Sequence, residues 1–232
     1  ILDADITGPS IPKSFGVDSR LTADADGINP AKSASGIEVM SVNLMLPEGD
    51  MPVAWRGPVV TGAIKQFWQE VNWGDVDYMF VDMPPGTGDI QLTLSQQVPL
   101  TGAVVVTTPQ DIALIDAKKG LRMFQKVNVP ILGIIENMSV FICPHCGEVE
   151  HIFGEGGAKR MSEQYGVPLL GELPLSAKIR EQADSGLPTV AAEPDGKEAL
   201  MYREMAMKVA GALARITKDY TAKMPGIRVV ND

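Results

Sequence analysis

A doubly wound α/β fold, a mostly parallel sheet with helices on both faces, is what this sequence predicts, and three observations predict it. The strand-like runs are short and continuously apolar rather than alternating, as in a sheet covered on both faces. Segments with apolar residues at helical spacing lie between them. Three of the strands run directly into polar turns rich in Pro or Gly (DADITGPS, DMPPGTGD and ENMS). In open parallel sheets ligands bind beyond the carboxyl ends of the strands, which is where these turns fall.

The elements follow in order. Ile1–Asp5 reads as the tail of a strand, and Leu21–Gly36, polar and rich in Gly, Ala and Ser, as a surface loop. Glu38–Met45, Tyr78–Asp82, Ala103–Thr107 and Ile131–Glu136 read as strands. After Arg56-Gly57-Pro58, the recurrence of Val60, Ile64, Phe67 and Val71 predicts a helix. Leu114, Ala117, Leu121 and Phe124 predict another behind Asp111, read as its N-cap. Ser176 is placed to cap a helix over Ala177–Asp184 that Gly186 ends, and a further helix covers Lys197–Ile216.

Composition narrows the class. The 232 residues are 45% hydrophobic with a net charge of −9. That is too apolar for a disordered chain, and the acidity disfavours nucleic acid and anionic membrane surfaces. No run approaches the ~18 apolar residues of a membrane span, and Ile1-Leu2-Asp3-Ala4-Asp5 has no signal-peptide features. Two cysteines make no disulfide framework, which points to a reducing, cytoplasmic setting. The expected organisation is one domain over 1–223 with an insertion loop over 138–153, then a tail over 224–232.

Four motifs carry chemistry. In Val81-Asp82-Met83-Pro84-Pro85-Gly86, an Asp ending a buried strand needs a partner. It can hold Mg²⁺ through water in a nucleotide-hydrolysing site, or simply cap a rigid turn. Gly86 lets a backbone N–H approach a phosphate. Asp3 and Asp5, at i and i+2 on a strand, point to one face; one would help hold a metal–water shell and the other orient a water, unless they only build a turn. Asn137 ends another apolar strand with a donor and an acceptor that match the edge of adenine, or it closes a turn. Cys143-Pro144-His145-Cys146-Gly147 is a C-x-x-C in which Pro and Gly favour a knuckle-like loop. A metal centre needs four ligands. The choices are zinc supplemented by His145 and His151, a centre shared across a two-fold axis, a redox dithiol, or two surface thiols. No G-x-x-x-x-G-K-[ST] occurs, and Gly154–Arg160 lacks the spacing of a phosphate loop.

Taken in order, LDADITGPSIP, MPVAWRGPVVTGAIKQF, YMFVDMPPGTGDIQLTLSQ, GAVVVTTPQDIALIDAKKG, VPILGIIENMS, the C-x-x-C, IFGEGGA and LGELPL resemble the Mrp/ApbC-type iron–sulfur cluster carrier ATPases. These are deviant-Walker P-loop NTPases, and the resemblance runs from residue 1 to about residue 216. It implies that Asp5 positions the attacking water with Asp3 behind it, and that Asp82 reaches Mg²⁺ through water. It implies that Gly86 meets the γ-phosphate, Asn137 reads adenine and the loop at Pro174 lies against the base. Cys143 and Cys146, with their copies in a second subunit, would hold a bridging [4Fe–4S] cluster. The implied cofactors are ATP and Mg²⁺. The implied partners are a second copy in a homodimer, apo iron–sulfur acceptor proteins and a cluster-assembly scaffold, with no nucleic acid and no membrane. The family's first strand, its Gly-rich loop with two lysines and its first helix would precede Ile1. The expectation is therefore a chain truncated before switch I that binds ATP poorly. Thr7 stands where the family commonly has an aromatic residue. Two other readings stand beside this one: a zinc-binding scaffold with a vestigial nucleotide site, and a partition or septum-site ATPase.

Overall fold

The computed structural model describes residues 1–46, 55 and 57–216; the expected tail over 224–232 lies outside them. Two parallel sheets are present among the described residues. In one, β7 (Ala103–Thr107) and β8 (Ile131–Glu136) pair along their length, and β11 (Leu169–Glu172) pairs on the far side of β8. In the other, β1 (Leu2–Asp3) pairs with β6 (Val81–Asp82), which sets Asp3 opposite Asp82, and Met40 bridges Leu2 on its other side. β6 and β7 each have one edge with no ladder partner among the described residues.

Helices cover both faces of the β11–β8–β7 sheet. α4 (Asp111–Lys126) and α5 (Gly157–Tyr165) bury Leu114, Leu121, Ala158 and Met161 against Val105 and Ile134. Each fully buried Leu stabilises the fold by roughly 1.5–3 kcal/mol. α8 (Lys197–Arg215) lies on β11, where Gly171 leaves room for Met205; a Cβ there would meet Met205 Cγ at 2.6 Å. A second core joins Leu2, Ile6 and Met40 to Val60, Ile64 and Phe67 of α2 (Gly57–Gln69) and to Leu94 of α3 (Asp89–Gln97).

Several expectations are corrected. The run from Tyr78 pairs only at Val81–Asp82, and Tyr78 and Phe80 are exposed. Glu38–Met45 is extended only through Ser41. Ser41 then turns the chain into a 3₁₀ helix over Val42–Leu44, with Leu44 N donating to Ser41 O. Within Leu21–Gly36 a hairpin forms, β2 (Thr22–Asp24) with β3 (Gly27–Asn29), because Asp24 accepts from Asp26 N and Asn29 Nδ2 and Gly27 takes φ 139°. Asp111 is the first helical residue rather than the cap, a place taken by Gln110. The last helix ends at Arg215. Ser176 caps α6 (Ala177–Asp184) as expected, accepting from Ile179 N.

Candidate functional site

Three carboxylates, Asp3, Asp5 and Asp82, lie at or just beyond the carboxyl ends of β1 and β6 without converging on one point. Asp3 is fully buried. Its Oδ2 accepts from Ile11 N at 3.3 Å and Ser41 Oγ at 3.1 Å, and its Oδ1 has no partner. Burial, with the charge of Asp82 adding to it, pushes the Asp3 carboxyl up to about 6 against the lowering effect of those donors. Desolvation, and then the charge of Asp5, also raises Asp82, although its side chain opens to solvent. The strand ends at Asp3, so the alternation that would set Asp5 on its face does not continue. Asp5 turns onto its own loop, accepting from Thr7 Oγ1 at 2.9 Å and Gly8 N at 3.1 Å.

Beyond β6 a cleft of about 450 Å³ opens between Met83–Gly86, the bare face of β7 and α4. It brings Gly86 and Asn137 together; Asp3, Asp5, Asp82 and Pro174 are outside its lining. Gly86 takes φ 92°, which a side chain rarely adopts. The turn is braced by Gln91, which donates from Nε2 to Pro85 O at 2.6 Å and is 7% exposed. Sequence reasoning passed over Gln91. Its signal is a polar residue on the inward stripe Gln91, Leu94, Ser95 and Val98, all four buried at helical spacing.

Asn137 closes a turn here, its Oδ1 accepting from Met138 N at 3.0 Å. Pro174 is held between two backbone bonds, Leu173 N to Glu136 O and Leu175 N to Val140 O, both 2.8 Å. Gly154–Arg160 is not a phosphate cradle. The N–H of Ala158 in the first turn of α5 is taken by Glu136 Oε2 at 2.5 Å, and Glu136 is 1% exposed.

The cysteines lie at the tip of a hairpin between β9 (Phe141–Ile142) and β10 (Val149–Glu150). Cys143 N donates to Glu148 O and Gly147 N to Cys143 O, with Gly147 at φ 77°, so the knuckle-like loop is formed. Cys143 is half-buried and Cys146 exposed. The backbone N–H groups of Cys146 and His145, and the Cys146 side chain, lower the Cys143 thiol pKa and so favour the thiolate. The expected supplement from both histidines is not assembled. Among the described residues no three His, Cys, Asp or Glu side chains gather to hold a metal ion, and His151 Nδ1 lies 3.2 Å from Ser139 O. The pair at the hairpin tip supplies two thiol side chains, where a tetrahedral metal centre takes four ligands.

A family model described as ParA: NUBPL iron-transfer P-loop NTPase matches residues 1–210. A Pseudomonas fragi protein named iron-sulfur cluster carrier protein is 51% identical, over 89% of this chain and 72% of its own. A protein of the same name from Escherichia coli K12 is 52% identical over 92% of this chain, which spans 58% of that relative's length. Among solved structures, a nucleotide-binding protein from Archaeoglobus fulgidus in complex with ADP superposes with a TM-score of 0.72 at 34% identity, covering 87% of this chain and 77% of that one. The Pyrococcus furiosus cell division ATPase MinD shares the fold, with a TM-score of 0.61 at 20% identity over 90% of this chain and 84% of that one.

Proposed function

This chain belongs to the NUBPL-type iron-transfer P-loop NTPase family, and from that premise we propose that it carries an iron–sulfur cluster to acceptor apoproteins. The observation that carries the reading is the pair of thiols at the tip of the cysteine hairpin. They are accessible, one is biased toward the thiolate, and no ligand from the rest of the described chain completes them. A second copy meeting the first at this hairpin completes four thiolates and bridges a [4Fe–4S] cargo between them. A cluster-assembly scaffold supplies the cargo, in the cytoplasm.

The nucleotide side of the proposal assigns roles to this chain's residues. Asp5 orients the attacking water, and Asp3 stands behind it. Asp82 reaches Mg²⁺ through water. The buried, unpartnered oxygen of Asp3, and the charge of Asp82 that adds to burial in raising it, suit a hard cation nearby, and the lack of three gathered ligands suits contact through water. Gly86 offers its N–H to a terminal phosphate, and Asn137 and the Pro174 loop hold the base. Bound MgATP supplies the phosphoryl bond whose hydrolysis changes the state of the site. The 232 residues contain no G-x-x-x-x-G-K-[ST]. None of these residues is therefore assigned as a cationic cradle for the phosphates. A polypeptide of these 232 residues alone is expected to bind MgATP poorly; micromolar affinity measured by calorimetry would refute that assignment.

Anaerobic reconstitution with iron and sulfide tests the carrier reading. Broad visible absorbance with about four irons and four sulfides per two chains supports it. One tightly held, redox-inert zinc with no sulfide uptake would replace it with a structural zinc knuckle.

A further inference from the structure

The root of the cysteine hairpin and the loop around Pro174 form one hydrogen-bonded unit. Ser139 N and Ser139 Oγ both donate to Leu173 O, at 2.9 and 3.1 Å, and Ser139 is buried. Leu175 N donates to Val140 O at 2.8 Å. Pairing between these two segments therefore continues past the end of β8, on both sides of Pro174, up to the residue before β9. The returning leg of the hairpin is tied to the same node through His151, whose Nδ1 lies 3.2 Å from Ser139 O. A carbonyl oxygen only accepts, so Nδ1 carries the proton and donates. Between Asn137 and Ser139 sits Met138 at φ 56°, a left-handed conformation uncommon for a residue with a side chain.

We infer that Ser139 and His151 are positioning residues that couple the base-side loop to the cysteine hairpin. A displacement of Leu173–Leu175 passes through Ser139 to His151 and alters how Cys143 and Cys146 are presented. Asn137 provides the trigger. Its Oδ1 holds Met138 N, and the amino edge of a nucleobase competes for the same oxygen. Releasing Met138 N loosens a left-handed turn one residue before Ser139. The lever rests on the carrier reading for the identity of its cargo and on the hydrogen bonds above for its existence.

Amide hydrogen exchange on the unloaded 232-residue chain reads the lever directly. His151→Ala is expected to raise exchange at both 141–150 and 173–175 by about three- to tenfold, the effect of one net hydrogen bond. β7 should be unchanged. His151→Asn, whose amide nitrogen falls near the place of Nδ1, should restore both segments. Ser139→Ala should loosen the same two, and decides the question if His151→Ala does not fold. On the loaded chain, His151→Ala should lose iron to a chelator faster by a similar factor, and His151→Asn at the wild-type rate. Loosening confined to the hairpin, or to neither segment, overturns the inference. A wild-type chain that takes up no iron and sulfide refutes the carrier reading instead, and the exchange pattern still decides the lever.

Discussion

Asp3→Asn is expected to stabilise the fold at neutral pH and to have almost no effect in acid. Asp3 is fully buried, one of its oxygens has two donors and the other none, and Asp82 is its strand partner. Burial, with the Asp82 charge adding, lifts the carboxyl from 3.8 to about 6. An acid whose folded pKa exceeds its unfolded one binds more protons in the native state. Its penalty is therefore absent below about pH 4, grows as pH rises toward 6 and is complete above that. A rise of about two pH units at about 1.4 kcal/mol each is ~3 kcal/mol. Asparagine keeps the oxygen that serves Ile11 N and Ser41 Oγ, and sets a neutral NH₂ group where the orphan oxygen stood. Urea unfolding of both proteins across pH reads the difference. With an m-value of about 2–3 kcal/mol/M for a chain of this size, the midpoint should rise by about 1 M at pH 7.5 and hardly at all at pH 4. A gain equal at every pH, or a loss at pH 7.5, would refute the reasoning.

Other substitutions test other parts. Cys143→Ser and Cys146→Ser should each abolish cluster uptake, read by iron and sulfide analysis, while stability stays within about 0.5 kcal/mol because neither side chain is buried. Gly186→Ala should cost about 2–4 kcal/mol in urea. Gly186 takes φ 75°, and a Cβ there would lie 2.5 Å from Gly16 Cα, where the loop after α6 crosses the turn after Ser14. Glu136→Ala should cost about 2–3 kcal/mol, because it strips Ala158 N of its buried acceptor; a lower melting temperature and faster exchange in the first turn of α5 would report it.

How far the fold was legible depends on whether each element is specified locally. Ala103–Thr107 and Ile131–Glu136 read correctly because each is a continuous apolar run in a full ladder. Tyr78–Asp82 looks the same in sequence, yet only its last two residues pair, since pairing needs a neighbour and a local pattern cannot name one. Leu169–Glu172 escaped because Gly171 weakens the pattern; that glycine is there for Met205, 34 positions away in the chain. The β2–β3 hairpin escaped for a related reason. Asp24 also accepts from Asn72 Nδ2 across 48 residues, so part of what holds it lies far off in the sequence.

The candidate site divides along the same line. Asp82, Asp3 and the C-x-x-C stood out because such residues are costly or purposeless where the pattern places them, a signal each residue carries by itself. Ser139 carried none, and Gln91 only its place on an inward helical stripe, because their value lies in bonds to backbone oxygens: Pro85 O from Gln91, Leu173 O from Ser139. Asn137 shows why type and role separate. The sequence offered adenine reading and turn closure as alternatives, and in this structure its Oδ1 closes the turn. The two are compatible if that oxygen serves the turn before a base arrives and the base afterwards. A residue serving both states would have no single set of contacts to optimise. Met138, whose N–H that oxygen accepts, sits beside it at a left-handed φ of 56°.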